Sequence, residues 1–446
     1  MSLAASATLA MPGVLRAQSP EAVKIGVVHP VEGFFGYAGR QCRAGVELAI
    51  ADINESGGIA ALDGAQLEAV FVDAPVNPEA VMPRIDDLAE RDVIGLVGAY
   101  ASTITMAVTQ AASRHGLPVA VDVAVSDRLV QRNLPNVFRL GAGYTMLADA
   151  LAAQLAALGR RIDPITRAMI VHVDAPYGVG VVRRMRQLLD VAGVEIVSVQ
   201  PQSPGLEDYT RFVRAVEADR PGILIPALFY SDFANMKRAL DGVAARPRVV
   251  AALHGGPTSS PLFLKEFPGF SEGVVDSTHW YDPASNVQAG RIASSDQRGI
   301  DYGHEVFMAA NAVYLLADAI GRAGSRERDA VQAAMLSSTF SGHGMPYGPT
   351  RFVDGQNIGA TAALTQVQDG EIRLIGPAGF SDADLRVGPP PPPLDVTAPN
   401  GESPETLAED GATPDFSTLQ DTPVDGPSAE TAPESPPTVE TLPQDR

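Results

Sequence analysis

Four loops of this 446-residue chain carry residues whose types and spacing could hold a small polar ligand. Gly98-Ala99-Tyr100-Ala101-Ser102-Thr103 places two hydroxyls and free backbone N–H groups where a helix begins, which suits a carboxylate or an amide carbonyl. The plainer reading of Ser102 or Thr103 is a helix N-cap. Asp122-Val123-Ala124-Val125-Ser126-Asp127 offers a further hydroxyl and several carbonyls, among them that of Ala124. Asp174-Ala175-Pro176-Tyr177-Gly178 adds an aromatic with a polar tip, for which core or turn packing is the competing role. Between Gly33 and Gly39, three glycines leave the backbone open to a ligand, while Phe34, Phe35 and Tyr37 supply apolar area.

Other chemistry lacks its residues. There is no G-x-x-x-x-G-K-[ST] phosphate loop, and Gly141-Ala142-Gly143 has no third glycine to complete a dinucleotide fingerprint. No G-x-S-x-G elbow exposes a nucleophilic serine. The seven histidines are scattered, and His304 beside Glu305 reads as helix surface rather than as a metal ligand. No enzymatic activity, cofactor or metal is therefore expected. A formal charge of -20 without any basic run argues against nucleic acid. The single cysteine, Cys42, lies one turn before Val46 on an apolar helical stripe, which predicts a buried, unreactive thiol.

The loops need a scaffold, and the flanking sequence predicts one. Val23, Ile25, Val27 and Val28 form a β-branched run, and Val46, Ala49, Ile50 and Ile53 mark one face of a helix that ends at Gly57-Gly58. Strands are expected over Leu67 to Val72, Val93 to Val97 and Leu117 to Val121. Helices are expected from Asn77 to Arg91, with Pro78 in the first turn, and from Ser102 to His115. The alternation restarts after a helix over Tyr144 to Leu158. The next strands are expected at Arg167 to Val173, Val194 to Val199, Gly222 to Ile225 and Arg248 to Ala252. Helices over Gly180 to Ala192, Asp208 to Ala218 and Asp232 to Asp241 separate them. Repeated βα units of this kind require parallel sheets with right-handed crossovers. Helices over Tyr302 to Ala323 and Arg328 to Leu336 are placed back on the first lobe. Arg351 to Leu374 reads as hairpins turning at Asp354-Gly355 and Asp369-Gly370.

With these elements on the page, the segment ending Asn54-Glu55-Ser56-Gly57-Gly58-Ile59 resembles the N-terminal signature of type I periplasmic solute-binding proteins, the leucine/isoleucine/valine-, amide- and urea-binding group. The resemblance runs from about Val23 to Gly379, with matching motifs at Gly98 to Thr103, Val119 to Ser126 and Tyr177-Gly178. It implies an α/β fold of two doubly wound Rossmann-like lobes joined by a hinge. It further implies that Ser102 and Ser126 hold the carboxylate-like end of a ligand, with Thr103 beside Ser102 among the expected ligand-binding residues, that the Ala124 carbonyl helps receive an amino group, and that Phe35, Tyr177, Phe229 and Tyr230 wall the pocket. His254 stands where amino-acid binders of this group place an acid. A neutral imidazole cannot neutralise an ammonium, which leaves a branched-chain amino acid, an amide, a urea-like compound or a carboxylate open, with Asp122, Asp127, Asp174 or Asp232 as substitute counter-charges.

The function so implied is capture of a small solute for an ABC transporter permease, by a monomer in the periplasm. The alternative keeps the fold and makes the chain an amide-type ligand-sensing regulator acting through a protein partner. Expected boundaries are a remnant signal peptide or disordered segment over 1–21, a first lobe over 22–140 and 279–349, a second over 141–278 and 350–380, and a tail over 381–446. Leu15-Arg16-Ala17 resembles a signal-peptidase site, although no basic residue precedes it. No later segment reads as a membrane span, and stable membrane insertion is not expected. From Ser381 onward, fourteen carboxylates and two arginines accompany a five-proline run, a composition that predicts disorder.

Overall fold

The computed structural model describes residues 20–159, 166–243, 247–254, 258 and 260–386. The expected signal-peptide remnant and nearly all of the expected tail lie outside the described residues.

Two seven-stranded sheets organise the chain. The first contains β1 (Val23–His29), β2 (Leu67–Asp73), β3 (Leu96–Gly98), β4 (Val119–Val121) and β5 (Val137–Arg139). The second contains β6 (Arg167–Val173), β7 (Glu195–Gln202), β8 (Ile223–Ala227), β9 (Val249–Leu253) and β10 (Val275–Thr278). The first is completed by β11 (Phe352–Val353) and β12 (Gln356–Asn357), the second by β13 (Ala363–Gln368) and β14 (Glu371–Gly376). The orders are β2-β1-β3-β4-β5-β12-β11 and β7-β6-β8-β9-β10-β13-β14, so each sheet repeats one winding. All five leading strands run parallel in each, and the chain reverses its winding between β1 and β3 and again between β6 and β8. Crevices beyond the carboxyl ends of strands at such reversals are where open α/β sheets bind ligands.

The helices are α1 (Gly36–Glu55), α2 (Pro78–Ala89), α3 (Ser102–Ser113), α4 (Tyr144–Gly159), α5 (Pro176–Val191), α6 (Thr210–Asp219) and α7 (Tyr230–Leu240). They continue with α8 (Pro261–Glu266), α9 (Pro268–Ser271), α10 (Asn286–Gln297), α11 (His304–Ala323) and α12 (Arg328–Leu336). Local chemistry accounts for several starts. Asn77 accepts the Glu79 N–H at 2.9 Å with Pro78 following, and Pro176 opens α5 one turn earlier than the apolar spacing alone indicates. β1 is buried along almost its whole length because neighbours flank it on both sides, whereas the edge strand β2 is only partly buried. β8 runs past Ile225 to include Pro226. Its ladder to β9 ends at Leu224, so the missing proline N–H breaks no bond on that side.

Helix α11 packs against α1 and behind β3 and β4, as the placement on the first lobe requires. By length and composition it is apolar enough to cross a membrane, contrary to the expectation that no later segment would be. Most of its residues are buried in the first lobe's core. Cys42, Val46 and Ala49 on the facing side of α1 are fully buried, and burial pushes the Cys42 thiol well above its usual range. The expected lobe boundary at 349/350 falls too early. β11 and β12 hydrogen-bond into the first sheet, and the chain passes to the second only between Asn357 and Ala363. Both Asp-Gly pairs do turn hairpins, with positive φ at Asp354, Gly355, Asp369 and Gly370, but the hairpins belong to different sheets.

Candidate functional site

The loops after β1, β3 and β4 are tied together before any ligand is considered. Asp122, at the end of β4, accepts the Val123 N–H at 2.6 Å and the Tyr100 N–H at 3.4 Å through Oδ1, while Oδ2 accepts the His29 Nε2–H at 2.6 Å. Arg139 secures the continuation. Its guanidinium donates to the Val125 and Ser126 carbonyls, both at 2.9 Å, and to Asp127 Oδ1 at 2.8 Å. Asp122 and Asp127 are thus structural acids.

A cavity of about 40 Å³ lies between the lobes. Tyr100, Ser102, Val123, Ala124 and Val125 reach it from the first sheet's loops, with His304 and Glu305 from the start of α11. Tyr177, Leu228, Phe229, Tyr230, His254 and Ser260 line it from the second lobe. At roughly 10–15 Å³ per water, it admits a few waters, so an amino-acid-sized solute enters only as the walls part.

Six of the nine expected site residues, Ser102, Ala124, Tyr177, Phe229, Tyr230 and His254, line this cavity. Ser102 is the first residue of α3 and does not cap it. The N-cap is Ala101, and Ser102 Oγ instead accepts the Ser126 N–H at 3.2 Å. Ser126 therefore sits directly behind Ser102, off the cavity wall, and its buried Oγ has no hydrogen-bond partner among the described residues. Thr103 is buried in the first turn of α3, also off the wall. Tyr177 donates its hydroxyl to the Leu253 carbonyl and to the His254 carbonyl at 3.1 Å, which fixes the ring across the second lobe's loops.

Phe35 takes a different place from the expected one. At 3% exposure it stands behind the wall, with its ring 4.9 Å from Phe229 and 5.6 Å from Tyr100, so it packs the lobes together rather than facing the cavity. Phe34 joins the same cluster at 6.0 Å from Phe229, and Tyr37 stacks on Tyr230 at 5.0 Å. The glycines of this segment also serve packing. A β-carbon at Gly39 would lie 1.6 Å from the Pro30 carbonyl oxygen, so the close approach there is to the chain itself.

Two wall residues escaped the sequence reading. Glu305 and His304 were expected on a helix surface, but both are buried, because α11 is apolar on nearly every face and its first turn enters the interior with the rest. That all-round apolarity was the available signal. Burial pushes the Glu305 carboxyl up to about 7. Neither Asp122, Asp127, Asp174 nor Asp232 lines the cavity, and Glu305 is the acid that does.

His254 lies at the end of β9, and its Nε2 is 3.2 Å from the Val123 carbonyl of the opposite lobe. Its ring lies 4.9 Å from that of His279 and 4.8 Å from that of His304. His279 is held by the Ala142 carbonyl, 2.9 Å from its Nε2. Burial depresses all three imidazoles, His279 to about 4.

Comparison with known proteins adds a lineage to this geometry. The family model described as periplasmic binding protein matches residues 22–371. A Leu/Ile/Val-binding protein homolog 7 of Brucella melitensis is 23% identical over 378 residues, covering 82% of this chain and 94% of its own. Among solved structures, the branched-chain amino acid transporter substrate-binding protein LivJ from Streptococcus pneumoniae, in complex with isoleucine, matches with a TM-score of 0.69 at 17% identity, over 80% of this chain and 100% of its own. A solute-binding protein of an ABC transporter from R. palustris, in complex with benzoate, matches with a TM-score of 0.69 at 17% identity, over 81% and 98% of the two chains. At these identities the structural likenesses establish the shared fold.

Proposed function

The chain belongs to the periplasmic binding protein family, and from that premise we propose that it captures an apolar, carboxylate-bearing solute between its lobes and delivers it to an ABC transporter permease outside the cytoplasm. Binding and lobe closure suffice for this role, and no covalent chemistry is required. The observation that carries the reading is the cavity at the paired winding reversals, with the first turn of α3 and the Ser102 hydroxyl on one side and Glu305 on another. The α3 N-terminus suits a carboxylate, since its unpaired N–H groups and the helix dipole both favour negative charge. Isoleucine and benzoate, the ligands of two similar proteins, share a carboxylate and an apolar body. The aromatic wall of Tyr177, Phe229 and Tyr230 matches such a body.

Glu305 bears on the ammonium question raised by His254. A cation beside this buried carboxyl would offset its burial cost, and the Ala124 carbonyl offers a second acceptor, so branched-chain α-amino acids head the ranking. Calorimetric titration with leucine, isoleucine, valine and benzoate tests the assignment. Ser102→Ala is expected to weaken binding of each acid that binds by about 1–3 kcal/mol through loss of a buried hydrogen bond. Unchanged affinity would remove Ser102 from the site.

A further inference from the structure

Where the two lobes meet, three histidines from distant parts of the sequence converge. His254 ends β9 of the second lobe, His304 opens α11 of the first, and His279 follows β10 on a segment passing between them. One ring nitrogen from each lies within 4.8 Å of one from each of the others.

The hydrogen bonds of two of these rings determine which nitrogen is free. A carbonyl can only accept, so the contacts to the Val123 and Ala142 carbonyls place the proton of His254 and His279 on Nε2. In a neutral imidazole the remaining nitrogen, Nδ1, is then a bare lone pair. Both Nδ1 atoms are buried and without a hydrogen-bond partner among the described residues, and so is His304 Nε2. Two bare lone pairs and a third unpartnered ring nitrogen in one place are costly unless something fills them. Even with the His304 proton on Nε2, that single N–H satisfies only one of the two lone pairs.

We propose that His254, His279 and His304 form a binding site for a divalent transition-metal ion of the zinc type, which joins the two lobes at their hinge. Two of the three imidazoles have their other nitrogen on a carbonyl, the orientation that metal-ligating histidines usually show. A three-histidine set leaves a fourth coordination position open. Zinc–nitrogen bonds of about 2.0–2.1 Å bring tetrahedral donors to about 3.3 Å of one another, so the ion draws the rings inward and tightens closure. The surroundings limit other adjustments. A β-carbon on Gly141 would stand 2.6 Å from His279 Nε2, which makes that glycine the space the ring occupies. His254 and His304 also line the solute cavity, so the ion would adjoin the solute, whereas His279 lies off that wall.

The test is titration of the chelator-treated, full-length protein with zinc chloride against a competing chromophoric chelator. Wild type is expected to take up one equivalent, and His279→Asn and His304→Gln to weaken uptake by roughly 100-fold. His115→Asn, which alters a histidine 2.7 Å from Asp86 on the first lobe, is expected to leave it unchanged. Uptake of no stoichiometric equivalent by wild type overturns the proposal, and that result needs no variant to fold. Uptake indifferent to both cluster substitutions also overturns it, by locating the ion elsewhere, for instance on the acidic C-terminal segment.

Discussion

His29 and His279 are both buried imidazoles at the ends of parallel strands, yet one faces a carboxylate and the other faces two more imidazoles. In the first cluster, Asp122 spends both oxygens on His29, Tyr100 and Val123, and thereby aligns three loops of one sheet. Its other possible ligand atom, the Cys42 sulfur, keeps its proton because burial raises its thiol. In the second cluster, one nitrogen on each of the three rings is without a hydrogen-bond partner among the described residues. The difference separates framework from function: the first arrangement leaves only His29 Nδ1 without a partner among the described residues, whereas the second leaves one buried nitrogen on each of its three rings.

Removing the keystone of the first cluster should cost most. Asp122→Ala leaves His29 and two backbone N–H groups unpaired in the core, and is expected to lower stability by about 3–5 kcal/mol in denaturant unfolding. A loss below about 1 kcal/mol would mean the cluster is not the framework described.

A third buried acid, Asp232 in the second lobe, sharpens the contrast, because it is only half satisfied. Oδ1 accepts the Gly205 N–H at 2.8 Å, Oδ2 has no partner among the described residues, and burial raises its carboxyl to about 7. A raised folded-state value means that the native protein holds this proton more tightly. The associated stability is therefore full below about pH 4 and is lost as pH rises through about 7. Asp232→Asn, which can still accept from Gly205, should be more stable than wild type at pH 8, by about 2–3 kcal/mol more than at pH 5. A pH-independent difference would contradict the raised value.

The smallest effect separates the histidine clusters themselves. In metal-free protein, His304→Phe replaces an unsatisfied buried nitrogen with carbon and should raise stability by about 1 kcal/mol, whereas His29→Phe should lower it. Equal destabilisation by both would erase the distinction between the two sets.

Much of the scaffold was legible because its signals are local. The β1 run, the α1 stripe, the Asn77-Pro78 start and the two Asp-Gly turns each act within a few residues, and each appears in the fold. β5 and β10 escaped because three or four residues carry no readable period, and β10 is a Val-Asp-Ser-Thr strand buried by its neighbours β9 and β13 rather than by its own composition. The candidate site was legible where it follows strand ends, as at Ser102, Ala124 and Tyr177. It was illegible where separate segments meet: His254, His279 and His304 stand 25 positions apart in turn, and no spacing rule links them. Glu305 was hidden for a related reason, since only the burial of α11 turns its first polar residues inward.

The central claim is that the cleft holds a carboxylate-bearing solute, with Glu305 set to meet an ammonium. Calorimetric titration of wild type and Glu305→Gln with leucine and with benzoate tests it most directly. The account predicts that wild type binds leucine, that the substitution weakens this binding by about 2–5 kcal/mol, and that any benzoate binding is left intact. Wild type that binds neither acid, or leucine affinity that survives the loss of Glu305, would contradict it.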